Sequence, residues 1–354
     1  MLPKRNQLAE KLKASSLDGF LVSKEANVTY LCGYISRDSY LLVSPKETFF
    51  ITDFRYTQEA EKNIKGVTVF QYANLFKDIA TLAKKLKIRR LGFEAKDLCY
   101  AQYSRIKESL SSKIKFIDTF NIVESLRQTK TPQELKFIKQ AIAITGSTFN
   151  FIKNLLQPGQ KELEIAAEIE RFIRYQGAKM SAFNIMIASG PNSSLPHSPM
   201  SERKIRASEP VLIDIGVDIN GYKSDLTRVF FLDTISPIHR RLHQIVREAQ
   251  DKAIANIHPG RRLSEIDAAA REIICGYGYG KYFGHSLGHG IGLEVHEEPS
   301  VSSRNKSQIL EEGMVFTVEP GIYLPGKFGI RLEDMILVTR KGCEVLSGSI
   351  NKSI

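Results

Sequence analysis

PGQKELEIAAEIERFIRYQG, residues Pro158–Gly177, returns 101 positions later as PGRRLSEIDAAAREIICGYG, residues Pro259–Gly278, with seven of the twenty positions identical. Each copy follows a helix-length segment and precedes strand-like sequence. The second half of the chain therefore reads as two similar helix-helix-strand halves related by a pseudo-twofold. A cleft between duplicated halves is a natural place for a site, because facing strands of both halves can supply side chains to it.

Upstream of the first copy, Thr131-Pro132-Gln133-Glu134 reads as a helix start, with a threonine cap, proline at the first helical position and glutamate three residues after the cap. The stripe Leu135, Ile138, Ile142, Phe149, Ile152 and Leu156, with Thr145 at the missing step, predicts a long helix from there. Before it, the strand-like runs GFLVS (19–23), YLLVSP (40–45) and TFFIT (48–52) alternate with helix-like segments. The expected architecture is mixed α/β (α+β), with a small α/β domain over residues 1–124 and a larger domain over residues 125–354. A length of 354 residues agrees, since a usual single core holds roughly 100–200.

Composition excludes several classes. Hydrophobic residues make up 42% of the chain and charged residues 25%, and no apolar run approaches the roughly 18 residues of a membrane span. The start, MLPKRNQLAEKLK, lacks the apolar stretch of about 7–15 residues found in secretory signals, so a cytoplasmic location is expected. Cys32, Cys99, Cys275 and Cys343 are scattered and read as reduced and mostly structural thiols. The net charge of +11 raises the question of a nucleic-acid partner, with Lys84, Lys85, Lys87, Arg89 and Arg90 as the densest basic run. That run follows an apolar stripe at Leu75, Ile79, Leu82 and Leu86, so it reads as the wet face and end of an amphipathic helix, and no nucleic-acid partner is expected.

Acids appear where acids are costly. In PVLIDIGVDINGYKSDLTRVFFL (210–232), Asn220-Gly221 lies between two extended runs, the signal of a two-residue hairpin turn. If Ile219 faces Tyr222, Asp214 faces Thr227 and Asp225 sits diagonally across on the same face. Glu319 ends the apolar run MVFTVEP (314–320), and Glu333 lies within GIRLEDMILV (329–338). All seven histidines lie beyond residue 190, and three fall within HSLGHGIGLEVHEEP (285–299), whose glycines rule out a regular helix. Asp214, Asp225, Glu319, Glu333 and His289 make an oxygen-rich set that could hold two divalent cations.

These residues resemble the creatinase/aminopeptidase P family, the "pita-bread" metallopeptidases that include Xaa-Pro aminopeptidase, prolidase and methionine aminopeptidase. The resemblance rests on Asp214 and Asp225, HGIGLEVHEEP, VEPGIY and IRLED, and in the first domain on LVSKEANVTYLCGY and ITDFRY. It implies that Asp214 chelates one metal, that His289 and Glu319 chelate the other, and that Asp225 and Glu333 bridge the two. Mn²⁺ is expected first, with Co²⁺, Zn²⁺ or Fe²⁺ as alternatives. A metal-bridging hydroxide would attack the carbonyl preceding proline, while Glu319 moves the proton toward the proline nitrogen. The resemblance places His197, His285 and His296 at the rim as proton carriers or oxyanion donors, with His197, His296 and Arg331 toward substrate. A salt bridge to Glu333 or a neighbouring acid is an equally good reading of Arg331.

The implied substrates are peptides with proline at the second position, and the implied assembly is a homodimer. Some prolidases place an arginine immediately after the HExP segment, suited to the free carboxylate of a dipeptide; here that position is Ser300, with Arg304 four residues on. This favours the aminopeptidase, with Xaa-Pro dipeptidase as the alternative. A non-catalytic pita-bread binding protein is the reading from another class, and the full ligand set argues against it. Methionine aminopeptidase is disfavoured by the extra N-terminal domain.

Overall fold

In the computed structural model, which describes residues 3–352, one unit ends at Arg127 and a second begins at Gln128. The first runs α1 (Pro3–Ala14), β1 (Gly19–Val22), α2 (Glu25–Cys32), β2 (Ser39–Val43), β3 (Thr48–Thr52), α3 (Phe54–Asn63), β4 (Thr68–Gln71), α4 (Leu75–Lys85), β5 (Arg90–Glu94), α5 (Tyr100–Ser109), β6 (Lys115–Thr119) and α6 (Glu124–Arg127). Its strands form one six-stranded sheet in the order β4-β3-β2-β1-β5-β6. The three apolar runs singled out in the sequence are β1, β2 and β3, and they are almost wholly buried. Helix α4 turns Ile79, Leu82 and Ala83 inward against Leu21, Leu42, Phe49 and Phe93. Lys84 and Lys85 fall in its last turn, where cations suit the carbonyl end of the helix dipole, so the basic run is the end of an amphipathic helix.

The second unit continues with α7 (Pro132–Leu155), α8 (Glu162–Tyr175), β7 (Met180–Ser181), β8 (Met186–Ser189), β9 (Val211–Ile215), β10 (Val217–Ile219), β11 (Tyr222–Lys223), β12 (Leu226–Phe230), α9 (Pro237–Ala255), α10 (Leu263–Gly276), β13 (Gly288–Gly290), β14 (Glu297–Val301), β15 (Val315–Val318), β16 (Gly321–Leu324), β17 (Phe328–Arg331), β18 (Asp334–Thr339) and β19 (Gly342–Val345). Helix α7 starts at the expected capping box, with Thr131 and Glu134 satisfying each other's backbone N–H. The repeat is structural as well as sequential. Helices α8 and α10 have the same length and the same 101-residue offset. The isolated bridge Lys161↔Lys204 has its counterpart in Arg262↔Ile309, and the Gly159 N–H donates to Ile205 O as Gly260 N–H does to Leu310 O.

Three antiparallel assemblies carry the site: β12-β9-β8, β14-β13-β15-β18-β19 and the ribbon β16-β17. The hairpin register is the one its turn dictates. Asn220 and Gly221 have φ of 52° and 84°, the left-handed pair of a type I′ turn. Ile219 then faces Tyr222 and Asp214 faces Thr227. Helices α9 and α10 pack into one core with Leu212, Phe316 and Ile336, which anchors the strands behind the acids. His239 and His243 lie on the buried side of α9, and His258 is exposed.

Candidate metal centre

Each acid sits at a strand end or beside a ladder, where the backbone fixes its direction while the carboxylate points off the apolar layer. Asp214 lies in β9 between Ile213 and Ile215, both fully buried. Asp225 immediately precedes β12, Glu319 follows β15, and Glu333 occupies the corner between β17 and β18. His289 is the middle residue of β13. A Cβ on Gly288 would lie 1.9 Å from Thr317 O, and one on Gly290 would lie 2.2 Å from Glu298 O. Only glycine lets the neighbouring strands close this tightly on both sides of the histidine.

The structure brings Asp225, His289 and Glu333 together, with one ligand atom of each lying within 4.8 Å of the others. His289 Nε2 is 3.6 Å from Asp225 Oδ2 and 3.3 Å from Glu319 Oε1. Its Nδ1 lies 3.1 Å from Gly290 O, which makes Nδ1 a donor and aims Nε2 at the carboxylates, as a proton donor to Glu319 without a metal and as a free ligand nitrogen with one. Thr317 Oγ1 accepts from His289 N and donates to Glu319 Oε1 at 3.1 Å. Glu333 Oε2 accepts from Thr227 Oγ1 at 2.8 Å. Asp214 Oδ1 and Glu333 Oε1 are buried and find no hydrogen-bond partner among the described residues.

Four carboxylates in one small space need positive charge. Burial, followed by the charges of the neighbouring acids, pushes Asp225 and Glu333 well above the usual carboxylate range. Burial also pushes Glu319 up, but the hydrogen bond and charge of His289, with His285 and Arg331, outweigh it and bring the group to about 2. His289 is raised in turn, because Glu319 overcomes the effect of its burial. A proton shared among these groups is a weak substitute for divalent cations. The orphaned oxygens, the aimed imidazole and the uncompensated charge fit such ions.

Arg331 is buried, and all three of its guanidinium nitrogens donate hydrogen bonds. Its Nη2 donates to Asp214 Oδ2 at 2.6 Å, Nη1 to Tyr323 Oη at 3.0 Å and to Pro196 O at 3.1 Å, and Nε to Thr227 Oγ1 at 2.9 Å. The salt bridge is with Asp214, 117 positions away, and not with Glu333. His285 Nδ1 lies 2.8 Å from Ser286 O and so carries the proton, leaving Nε2 to accept from Tyr323 O–H at 3.0 Å. Burial lowers the His285 pKa, in keeping with this neutral tautomer. Tyr323, Thr227 and Thr317 were not singled out as site residues from the sequence. Tyr323 had a signal in VEPGIY, yet an aromatic in an apolar strand reads as core.

Among the rim candidates, His296 stacks edge-on against His289 with ring centroids 4.3 Å apart, and His197 lies within electrostatic reach of both His285 and His296. His197 and His296 are exposed. Ser300 pairs with His289 across β13 and β14. Beside it opens a polar cleft of about 520 Å³, lined among others by His285, Ser300, Ser302, Ser303 and Arg304.

This fold and this cluster define a metal-dependent peptidase. Residues 136–340 match metallopeptidase family M24 and residues 4–129 match the creatinase/prolidase N-terminal domain, and the chain belongs to family M24. The uncharacterized peptidase YqhT of Bacillus subtilis (strain 168) is 38% identical over 94% of this chain and 94% of its own length. Among solved structures, an Xaa-Pro dipeptidase from Bacillus anthracis is 40% identical, with a TM-score of 0.95 over 99% of this chain and 98% of that one. An X-Pro aminopeptidase from Thermotoga maritima MSB8 is 37% identical, with a TM-score of 0.89 over 96% and 97%. Among the described residues no helix is long and apolar enough to cross a membrane.

Proposed function

We propose that the chain hydrolyses the Xaa-Pro bond at the N terminus of peptides, as an Xaa-Pro aminopeptidase with two divalent cations. The observation that carries the metal reading is the pair of orphaned buried oxygens, Asp214 Oδ1 and Glu333 Oε1, flanking Asp225 and His289. Asp214, Asp225, His289, Glu319 and Glu333 would hold the ions. Mn²⁺ leads Co²⁺, Zn²⁺ and Fe²⁺ because four of the five donors are carboxylates. Bound cations supply Lewis acidity, which activates water near neutral pH and polarises the scissile carbonyl. The four cysteines are all free, in keeping with a reducing cytoplasm.

The protein's own groups do the rest. Glu319 Oε1 is held by Thr317, so Oε2 is the oxygen that receives the proton of the attacking water and passes it to the proline nitrogen. That nitrogen must be protonated to leave as a secondary amine. His197 and His296 are exposed beside the centre's histidines, where their imidazole N–H groups would serve the developing oxyanion. Arg331, anchored on Tyr323 and Thr227, fixes the orientation of Asp214, and His285 anchors Tyr323.

Ser300 supports the aminopeptidase, because the position opposite His289 offers a dipeptide carboxylate no cation. The polar cleft with Arg304 favours a second reading, Xaa-Pro dipeptidase, as does the name of the Bacillus anthracis structure. Comparing kcat/KM for Ala-Pro and Ala-Pro-Ala separates the two. Preference for the tripeptide establishes the aminopeptidase, whereas cleavage of Ala-Pro alone, lost in Arg304→Ala, establishes the dipeptidase.

A further inference from the structure

We propose that Glu162 is the positioning residue for His197. Glu162 opens α8 and is fully buried. Its Oε1 accepts from Ser189 N and Ser189 Oγ, both at 2.7 Å, and its Oε2 from Asn192 Nδ2 at 2.9 Å and Ser201 Oγ at 2.5 Å. Ser189 ends β8, and Asn192 and Ser201 lie before and after His197 in the segment that leads from β8 to β9. One carboxylate thus knots the loop at its base.

The knot is built for a fixed charge. Every partner is a donor, the group sits at a helix N-terminus where negative charge is favoured, and Arg203 supplies a cation one hydroxyl away by donating to Ser189 Oγ at 2.5 Å. Arg203 is itself clamped by Glu209. Beyond the knot, the loop is pinned by Gly329 N–H to Ser193 Oγ at 2.9 Å and by Arg331 to Pro196 O. His197, the next residue, is therefore held on a rigid support, within electrostatic range of His285 and His296.

The internal repeat argues that the acid is not demanded by the fold. The position equivalent to Glu162 in the second copy is Leu263, also fully buried, so the same helix start forms with an apolar side chain. The second half uses a different acid for a parallel task. Asp267 on α10 accepts from Leu287 N and holds Arg271, which donates to the carbonyls of Phe283 and His285. In each half, a buried acid on the second helix secures the segment that carries a rim histidine.

The inference rests on the rim role of His197 proposed above, and a mutant cycle separates the two. Glu162→Gln places an amide N–H₂ against donors and loosens the knot; Ser201→Ala frees only the far end of the loop. Both are measured on Ala-Pro-Ala with the metal-loaded full chain, beside metal content and thermal midpoint. Glu162→Gln is expected to lower kcat about 10- to 100-fold with KM within about twofold and metal content unchanged, because misplacing an oxyanion donor costs the transition state alone. Ser201→Ala should lower kcat less, in the same direction, and it keeps the test open if Glu162→Gln does not fold. In a His197→Ala background either change should cost less than about twofold more. Losses that multiply with His197→Ala, or wild-type kcat in both folded variants, overturn the positioning role. Wild-type kcat in His197→Ala alone overturns the rim role beneath it.

Discussion

Replacing Thr227 with valine keeps the shape of the side chain and removes one hydroxyl from the centre. That hydroxyl is buried opposite Asp214, donates to Glu333 Oε2 at 2.8 Å and accepts from Arg331 Nε at 2.9 Å. Each bond involves a charged group and is worth about 1.5–3 kcal/mol. If one is lost from the metal-binding equilibrium, at about 1.4 kcal/mol per tenfold, the affinity for Mn²⁺ falls about 10- to 100-fold. Competition with a chelator of known affinity reads this directly, and Thr227→Ser, which keeps the hydroxyl, should stay within about threefold of wild type. Unchanged affinity in the valine variant would refute the idea that Thr227 orients Glu333 for a cation.

Asp225→Asn and Glu333→Gln should each lower turnover by about 10³-fold or more and reduce bound metal, read by elemental analysis. The same changes should raise the unfolding midpoint of the metal-free protein, since both acids are held far above their usual range by burial and by one another, and an amide removes that repulsion. His296→Ala should retain metal while lowering kcat; loss of both would make it structural. Burial, then Arg247, lowers His243 to about 4 from 6.5, so the folded state favours the neutral ring. The stability this provides is complete above pH 6.5 and is lost as pH falls from 6.5 through 4, by about 3 kcal/mol at most. Urea unfolding against pH should show that slope in wild type and a flatter one in His243→Leu.

How much was legible in the sequence depended on how far apart the interacting residues lie. Asn220-Gly221 fixed its turn type, and one turn fixed the pairing of Asp214 with Thr227, because register propagates residue by residue along a ladder. The repeat was visible because both copies share the same glycine punctuation, with positive φ at Gly159, Gly177, Gly260 and Gly278. The grouping of Asp225, His289 and Glu333 was implied by the family resemblance, and the structure brings one ligand atom of each within 4.8 Å of the others. What stayed hidden was set by contacts between distant segments. Arg331 has Glu333 two positions away, yet its partner is Asp214. Glu162 reads as an ordinary acid at a helix start, and nothing local ties it to Ser189 and Ser201. Tyr323 and Thr317 occupy apolar strands where their hydroxyls give no periodic signal.

The most direct test of the central claim is the hydrolysis of Ala-Pro-Ala beside Ala-Ala-Ala by protein stripped with chelator and then reloaded with Mn²⁺ or Co²⁺. The account predicts negligible activity after stripping, recovery on reloading, and cleavage confined to the Xaa-Pro peptide. Full activity without metal, or metal-restored cleavage of Ala-Ala-Ala at an equal rate, would contradict it.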